Sequence, residues 1–332
     1  MLLKSSLNHF QSVLTGLVLA GMLSACSDAP KPVRIGIILG VNSFKNTTDS
    51  FRQTFLERGY KEGETIIFDL VAGNGDKTVM TEACQRFAHE KVDLVFATTN
   101  GGAGPCKVAL QGTNIPMVFA IVMAPLESGI VDSLEAPSGN ITGIRNGLSD
   151  FVGKRIEILT RLAPEVKSIW IPITTTYPTT KHFLPPVKIA TEHAGIELMV
   201  SELDTPEKIL EYLRSHTQPE FDAIMLPPNP APQANDALNA LMSYAKRHGL
   251  PVIGNTIKNL KPGSLFSYHI DNREEGKIAA LLAAQILADE KRIPYPVINS
   301  EPVLHINAEA ATRLGLTISN DLRAFGEVLF EQ

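Results

Sequence analysis

From residue 33 onward, short apolar runs alternate with segments whose apolar residues recur every three or four positions. Val33–Leu39 (VRIGIIL) is apolar at successive positions and stops at Gly40, as a parallel strand covered on both faces does. Thr47–Gly59 carries Phe51, Phe55 and Leu56 at helical spacing and ends on Gly59. The alternation continues with strand Thr65–Val71, helix Lys77–Glu90, strand Val92–Thr98, helix Pro105–Gln111 and strand Pro116–Val122. Met123–Gly147 shows little periodicity. A second series then begins with helix Asp150–Leu162 and strand Val166–Ile171. It runs on through helix His182–Ala194, strand Glu197–Val200, helix Pro206–Ser215, strand Ala223–Leu226, helix Ala231–Arg247 and strand Pro251–Gly254. Strand Ser264–His269, the strongly apolar helix Arg273–Asp289, strand Val303–Ile306 and short helix Ala308–Leu314 complete the pattern.

Two consecutive strand–helix series of similar size predict an α/β protein of two doubly wound parallel-sheet lobes joined by crossovers. The expected division puts 33–147 and 266–295 in lobe 1, and 148–265 and 296–332 in lobe 2. In such sheets a ligand lies beyond the C-terminal ends of the strands, between the lobes.

The segment before residue 33 is of another kind. Lys4 is its only charge before Asp28, and the apolar stretch Val13–Leu23 follows. As a helix that stretch spans about 16 Å, against about 30 Å for a bilayer core, so it predicts a signal-peptide core and not a membrane span. Leu23-Ser24-Ala25-Cys26 resembles a bacterial lipoprotein box. It implies removal of residues 1–25, acylation of Cys26, and residues 26–32 as a tether. The expected location is the cell envelope, lipid-anchored and facing the periplasm or the extracytoplasmic space. Cys84 and Cys106 are the other two cysteines. In an oxidising compartment they form either a disulfide or two buried thiols.

Composition narrows the function. The 332-residue chain has 30 basic against 35 acidic residues, which argues against nucleic acid as a partner. No GxGxxG follows the first strand, and GxxxxGK[ST], GxSxG and HExxH are all absent. The eight histidines and scattered carboxylates form no recognisable metal or acid–base set, so neither an enzyme nor a cofactor or metal site is expected. Glu274 and Glu275 are adjacent in the first turn of a helix, where its dipole favours anions. The strand-end rule instead selects loops: Asn42, Ser43 and Phe44; Thr98, Thr99, Asn100 and Gly101; and Met123 and Ala124, all in the first lobe. Thr175, Tyr177, Asn229 and Asn255 are their counterparts in the second, with Asp271 where the chain returns to the first. Thr99–Gly101 offer backbone N–H groups suited to a carboxylate, though Ser, Thr and Asn in such loops also cap helices.

Several segments in order carry a family resemblance. They are Phe51-Arg52-Gln53 with Glu57-Arg58-Gly59-Tyr60-Lys61-Glu62-Gly63, then Val92–Val95, Ile115–Val122, Ser128–Leu134 and Pro137–Gly143. Phe221–Ile224, Ser267–Asp271 and Leu304–Asn307 with Leu314-Gly315-Leu316 follow. Together they resemble the tryptophan/tyrosine-type substrate-binding lipoproteins of ABC transporters. The resemblance implies a type I periplasmic-binding fold, a small solute as ligand, permease and ATPase subunits as partners, and a monomer. A sensing lipoprotein of the same fold and an exported α/β enzyme are the alternatives. Met123-Ala124-Pro125 stands where the family usually has Thr-Asp-Pro, so a loop carboxylate is missing. A neutral or anionic solute is therefore expected, with a ring against Phe44 or Tyr177. If the solute is an amino acid, Asp271 is expected to hold its ammonium.

Overall fold

The computed structural model describes residues 31–177, 180–289 and 295–331. The segment expected to be a signal peptide, Cys26 and most of the expected tether lie outside the described residues. Among those that are described, no helix is long and apolar enough to cross a membrane.

The first series builds β1 (Val33–Leu39), α1 (Lys45–Glu57), β2 (Ile66–Ala72), α2 (Lys77–Glu90), β3 (Leu94–Thr98), α3 (Thr99–Ala109), β4 (Met117–Val122) and β5 (Ile141–Arg145). The second builds α4 (Val152–Leu162), β6 (Ser168–Ile173), α5 (Thr180–His193), β7 (Glu197–Glu202) and α6 (Pro206–Ser215). It continues with β8 (Ala223–Met225), α7 (Pro230–Gln233), α8 (Asn235–His248), β9 (Val252–Gly254) and β10 (Phe266–Ile270). The chain closes with α9 (Asn272–Ala288), β11 (Ile298–Asn299), β12 (Pro302–Asn307), α10 (Ala308–Arg313), α11 (Asn320–Phe325) and β13 (Glu327–Leu329).

Six strands form one parallel sheet in the order β11-β5-β4-β3-β1-β2, and seven form the other in the order β13-β12-β10-β9-β8-β6-β7. The expected lobe boundaries need two corrections. Phe266–Ile270 belongs to the second sheet, between β9 and β12, and Ile298–Asn299 pairs with β5 in the first. The chain passes between the sheets three times: from β5 to α4, at Asp271, and at Ser300–Glu301. The last two crossings explain the strand directions. β10 leaves the second sheet at the junction and β12 enters it there, so the two run antiparallel. Periodicity identifies a strand but not the sheet it joins, which is why the boundary was misplaced.

β1 shows the physics of both sheets. Ile35, Ile37, Ile38 and Leu39 are almost fully buried because helices cover both faces. The returning helix α9 covers one face of the first sheet through Ala279, Ala280 and Ala283, packed in one core with Phe51, Phe55 and Phe96. It comes unusually close to α1: a Cβ on Gly276 would lie 2.2 Å from the Thr47 carbonyl oxygen, so only glycine fits there. In the second lobe Trp170 is fully buried and stacks on Tyr212 and Phe221 at 4.8 and 5.0 Å. The sulfurs of Cys84 in α2 and Cys106 in α3 are bonded to each other, which ties two helices that flank the first sheet.

Candidate ligand-binding cleft

The loops at the C-terminal ends of both sheets enclose a cavity of about 570 Å³. The first lobe supplies Val41, Phe44, Thr99, Asn100, Gly101, Ile121, Met123, Ala124, Glu127 and Ser128. The second supplies Tyr177, Lys181, His182, Pro228, Asn255, Thr256 and Ile270, and the crossings supply Asn146 and Asn272.

The first-lobe wall is built by close backbone approach. β3 passes straight into α3, although Gly101, Gly102 and Pro105 all disfavour helix and the helix was expected only from Pro105. The turn is made by Thr99, whose φ is +67°. A Cβ on Gly40 would lie 2.2 Å from the Thr99 hydroxyl oxygen, so β1 ends in glycine beside it. Thr98 does not cap α3. Its hydroxyl accepts from the Gly40 N–H at 3.0 Å and donates to the Ile38 carbonyl at 3.2 Å. The first turn of α3 therefore lines the cleft with no side-chain cap and no acidic residue, which leaves a positive helix end at the cavity. Of the non-glycine residues with positive φ, the two β-branched ones, Thr99 and Ile121, both line the cleft. Backbone strain of about 1–3 kcal/mol per residue, held in place by the surrounding fold, concentrates at binding sites.

The strand-end rule placed Phe44, Thr99, Asn100, Gly101, Met123, Ala124, Tyr177 and Asn255 on this lining. Its other choices have different work. Asn42 and Ser43 lie in an exposed turn before α1, and Thr98 is buried in the bracing just described. Thr175 is exposed and bonds through its N–H and hydroxyl to Asp204. Asn229 is buried: its Oδ1 accepts from the Thr174 N–H at 3.0 Å and its Nδ2 donates to the Thr180 hydroxyl at 3.1 Å. Asp271 caps α9 by accepting from the Arg273 N–H and pairs with the Arg273 guanidinium at 3.0 Å, while its neighbours Ile270 and Asn272 reach the cleft. A short polar residue beside a helix start is drawn into capping, which the rule does not weigh.

Sequence reasoning missed Glu127, Ser128, Lys181 and His182. They lie one helical turn or more past the strand ends, and Lys181 and His182 are exposed in the first turn of α5. The electrostatics follow from this set. Glu127 is the single carboxylate among the lining residues, and it is exposed. Against it stand Lys181 and the open end of α3.

Two α/β lobes, three crossings and a cleft at the strand ends define a bilobal solute-binding protein. The family model described as "ABC transporter substrate binding protein" matches residues 32–327, and the chain belongs to that family. It is a ligand-binding protein and not an enzyme, and such proteins work outside the cytoplasm. A tyrosine-binding protein of Clostridioides difficile (strain R20291) is 23% identical over 321 residues, 92% of this chain and 91% of that one. The ABC domain from Streptococcus pneumonia in complex with L-Trp superposes with a TM-score of 0.72 at 22% identity, covering 90% of this chain and 100% of that one. A ligand-free, open substrate-binding protein with adhesive properties from Clostridium difficile also gives 0.72 at 22% identity, covering 90% and 99%. At these identities the solved structures establish the fold.

Proposed function

We propose that this protein is the lipid-anchored, solute-capturing component of an ABC importer, and that its solute is a small organic anion with a flat apolar body. The observation that carries the ligand class is the charge layout of the cleft. An uncapped helix end lies on one wall, Lys181 on the other, and no buried carboxylate lies between them. Phe44, Tyr177, Ile121, Met123 and Ile270 give the body of the solute apolar cover. A zwitterion brings an ammonium group, and leaving that group unpaired on closure costs several kcal/mol. Asp271 is already engaged by Arg273, so it is a poor partner for such a group. The lipoprotein-type Leu23–Cys26 supports the anchor, and family membership supports delivery to a permease.

Matched titrations test this reading. Indole-3-propionate and 4-hydroxyphenylpropionate are compared by calorimetry with L-tryptophan and L-tyrosine, the same skeletons carrying an ammonium. The deaminated acids are expected to bind at least about tenfold tighter, a difference of about 1.4 kcal/mol. The reverse order would sink the anionic reading and make Glu127 the ammonium partner, in which case Glu127→Gln removes the preference. Protein extracted from native membranes should carry an acylated Cys26 in the mass spectrum of its N-terminal peptide; a free or absent Cys26 contradicts the anchor.

A further inference from the structure

Glu275 is the only buried carboxylate among the described residues, 1% exposed, and it sits where the three crossings meet. It lies in the first turn of α9, just after the crossing at Asp271. Its Oε1 accepts the hydroxyl of Ser300, which belongs to the third crossing. The side-chain amide of Asn146, on the first crossing, and the backbone N–H of Ile121 also face the carboxyl. Oε2 nevertheless has no partner at hydrogen-bonding geometry, so these two donors approach without closing their bonds. Desolvation pushes the carboxyl up to about 7, against the pull of Ser300, Asn146 and Ile121.

Charged groups around it are engaged elsewhere. On its own helix Asp271 pairs with Arg273, and Glu274 with Lys277. On α1, Lys45 pairs with Asp49, and Arg52 with Glu62. Arg145, at the end of β5, pairs with Asp150, and β4 brings no charge. Glu301, beside Ser300, is exposed. None of these groups contributes to the shift of Glu275, which is set by burial and neutral donors.

Two of those donors belong to the cleft. Ile121 and Asn146 both line it, and Ile121 holds a φ of +58° that a β-branched residue seldom adopts. We propose that Glu275 is a positioning residue of the binding cleft: protonated, it stays seated among the Ile121 N–H, the Asn146 amide and the Ser300 hydroxyl and holds the cleft wall, and ionised, its buried charge loosens that wall. A buried carboxylate oxygen without a donor is costly, and Oε2 has none at bonding geometry. A proton on Oε2 removes that cost, and the Asn146 side chain carries an amide oxygen able to accept it. The consequence for a solute rests on the cleft being the binding site; the positioning itself is measured without one.

Hydrogen exchange on the ligand-free mature chain, corrected for intrinsic rates, reads the wall directly through peptides covering 117–124, 142–147 and 298–302. Wild-type protection is expected to be about tenfold greater at pH 5.5 than at pH 8.0, and Glu275→Gln is expected to remove the difference. Stability gives a second readout with a fixed sign. The pKa of Glu275 is raised on folding, so its contribution is full below about 4.5 and is lost as pH rises through about 7. Glu275→Gln should therefore gain stability over wild type as pH rises through that window. Equal wild-type protection at the two pH values, or a Glu275→Gln variant that keeps the difference, overturns the proposal and leaves the binding reading intact.

Discussion

Replacing Phe51 by alanine is expected to remove about 3–5 kcal/mol of stability, the range for deleting a fully buried phenylalanine. Phe51 is 0% exposed, stacks on Phe96 of β3 with ring centroids 4.0 Å apart, and meets Phe55 at 5.3 Å. It also lies under the close approach of α9 to α1, since a Cβ on Gly276 would sit 3.2 Å from the Phe51 nitrogen. No neighbour collapses easily into the space, because the sheet on one side and the α1–α9 contact on the other are both held by backbone packing. The effect should appear in urea unfolding as a lower midpoint with unchanged slope. A loss below about 1 kcal/mol would mean that the first-lobe core relaxes around the cavity and that α9 is not seated as described.

The second large effect belongs to the disulfide. Cys84 and Cys106 are both fully buried and 22 residues apart in sequence. A loop of that length gives about 3 kcal/mol in the chain-entropy account. Cys84→Ala with Cys106→Ala, in a mature chain starting after Cys26, should lower the melting temperature by roughly 6–12 °C, taking about 2–4 °C per kcal/mol for domains of this size. Unbonded sulfurs would make the double variant nearly neutral, and two thiols would then titrate in the denatured parent.

What the sequence makes legible follows from how each element is buried. β1, β3 and β4 are covered on both faces and therefore read as continuous apolar runs. β5 escapes that reading. Ile141–Arg145 has Thr142 and Gly143 in its middle, and a Cβ on Gly143 would meet the Phe119 carbonyl at 2.3 Å, so tertiary packing chooses a residue that local propensity rejects. The early start of α3 is hidden for the same reason, since two glycines and Pro105 argue against helix over residues that form the cleft wall. α8 was expected as one helix from Ala231; the chain breaks it at Ala234, whose ψ of 139° is extended.

The candidate site divides along the same line. Strand ends locate the loops, so Thr99–Gly101, Ala124 and Asn255 were within reach of the sequence. Side-chain partners are not, because they depend on which loops meet. Asn229 and Asp271 turned inward to brace and cap, while Lys181 and Glu127 came to the lining from helical and loop turns. Glu274 and Glu275 are neighbours with one local signature, yet Glu274 is exposed beside Lys277 and Glu275 is sealed at the junction of the crossings. A helical step of about 100° separates solvent from core, and no composition argument sees that step.

The claim that the interlobe cleft captures the solute is tested most directly by the same calorimetric titration on Ala124→Trp. Ala124 lines the cavity of about 570 Å³ from the first lobe, and an indole there occupies the space assigned to the body of the solute. Binding of the tightest solute in the matched series is expected to fall at least about a hundredfold, roughly 2.7 kcal/mol, with the unfolding midpoint unchanged. Undiminished affinity in a folded Ala124→Trp protein would place the solute outside this cleft and contradict the account.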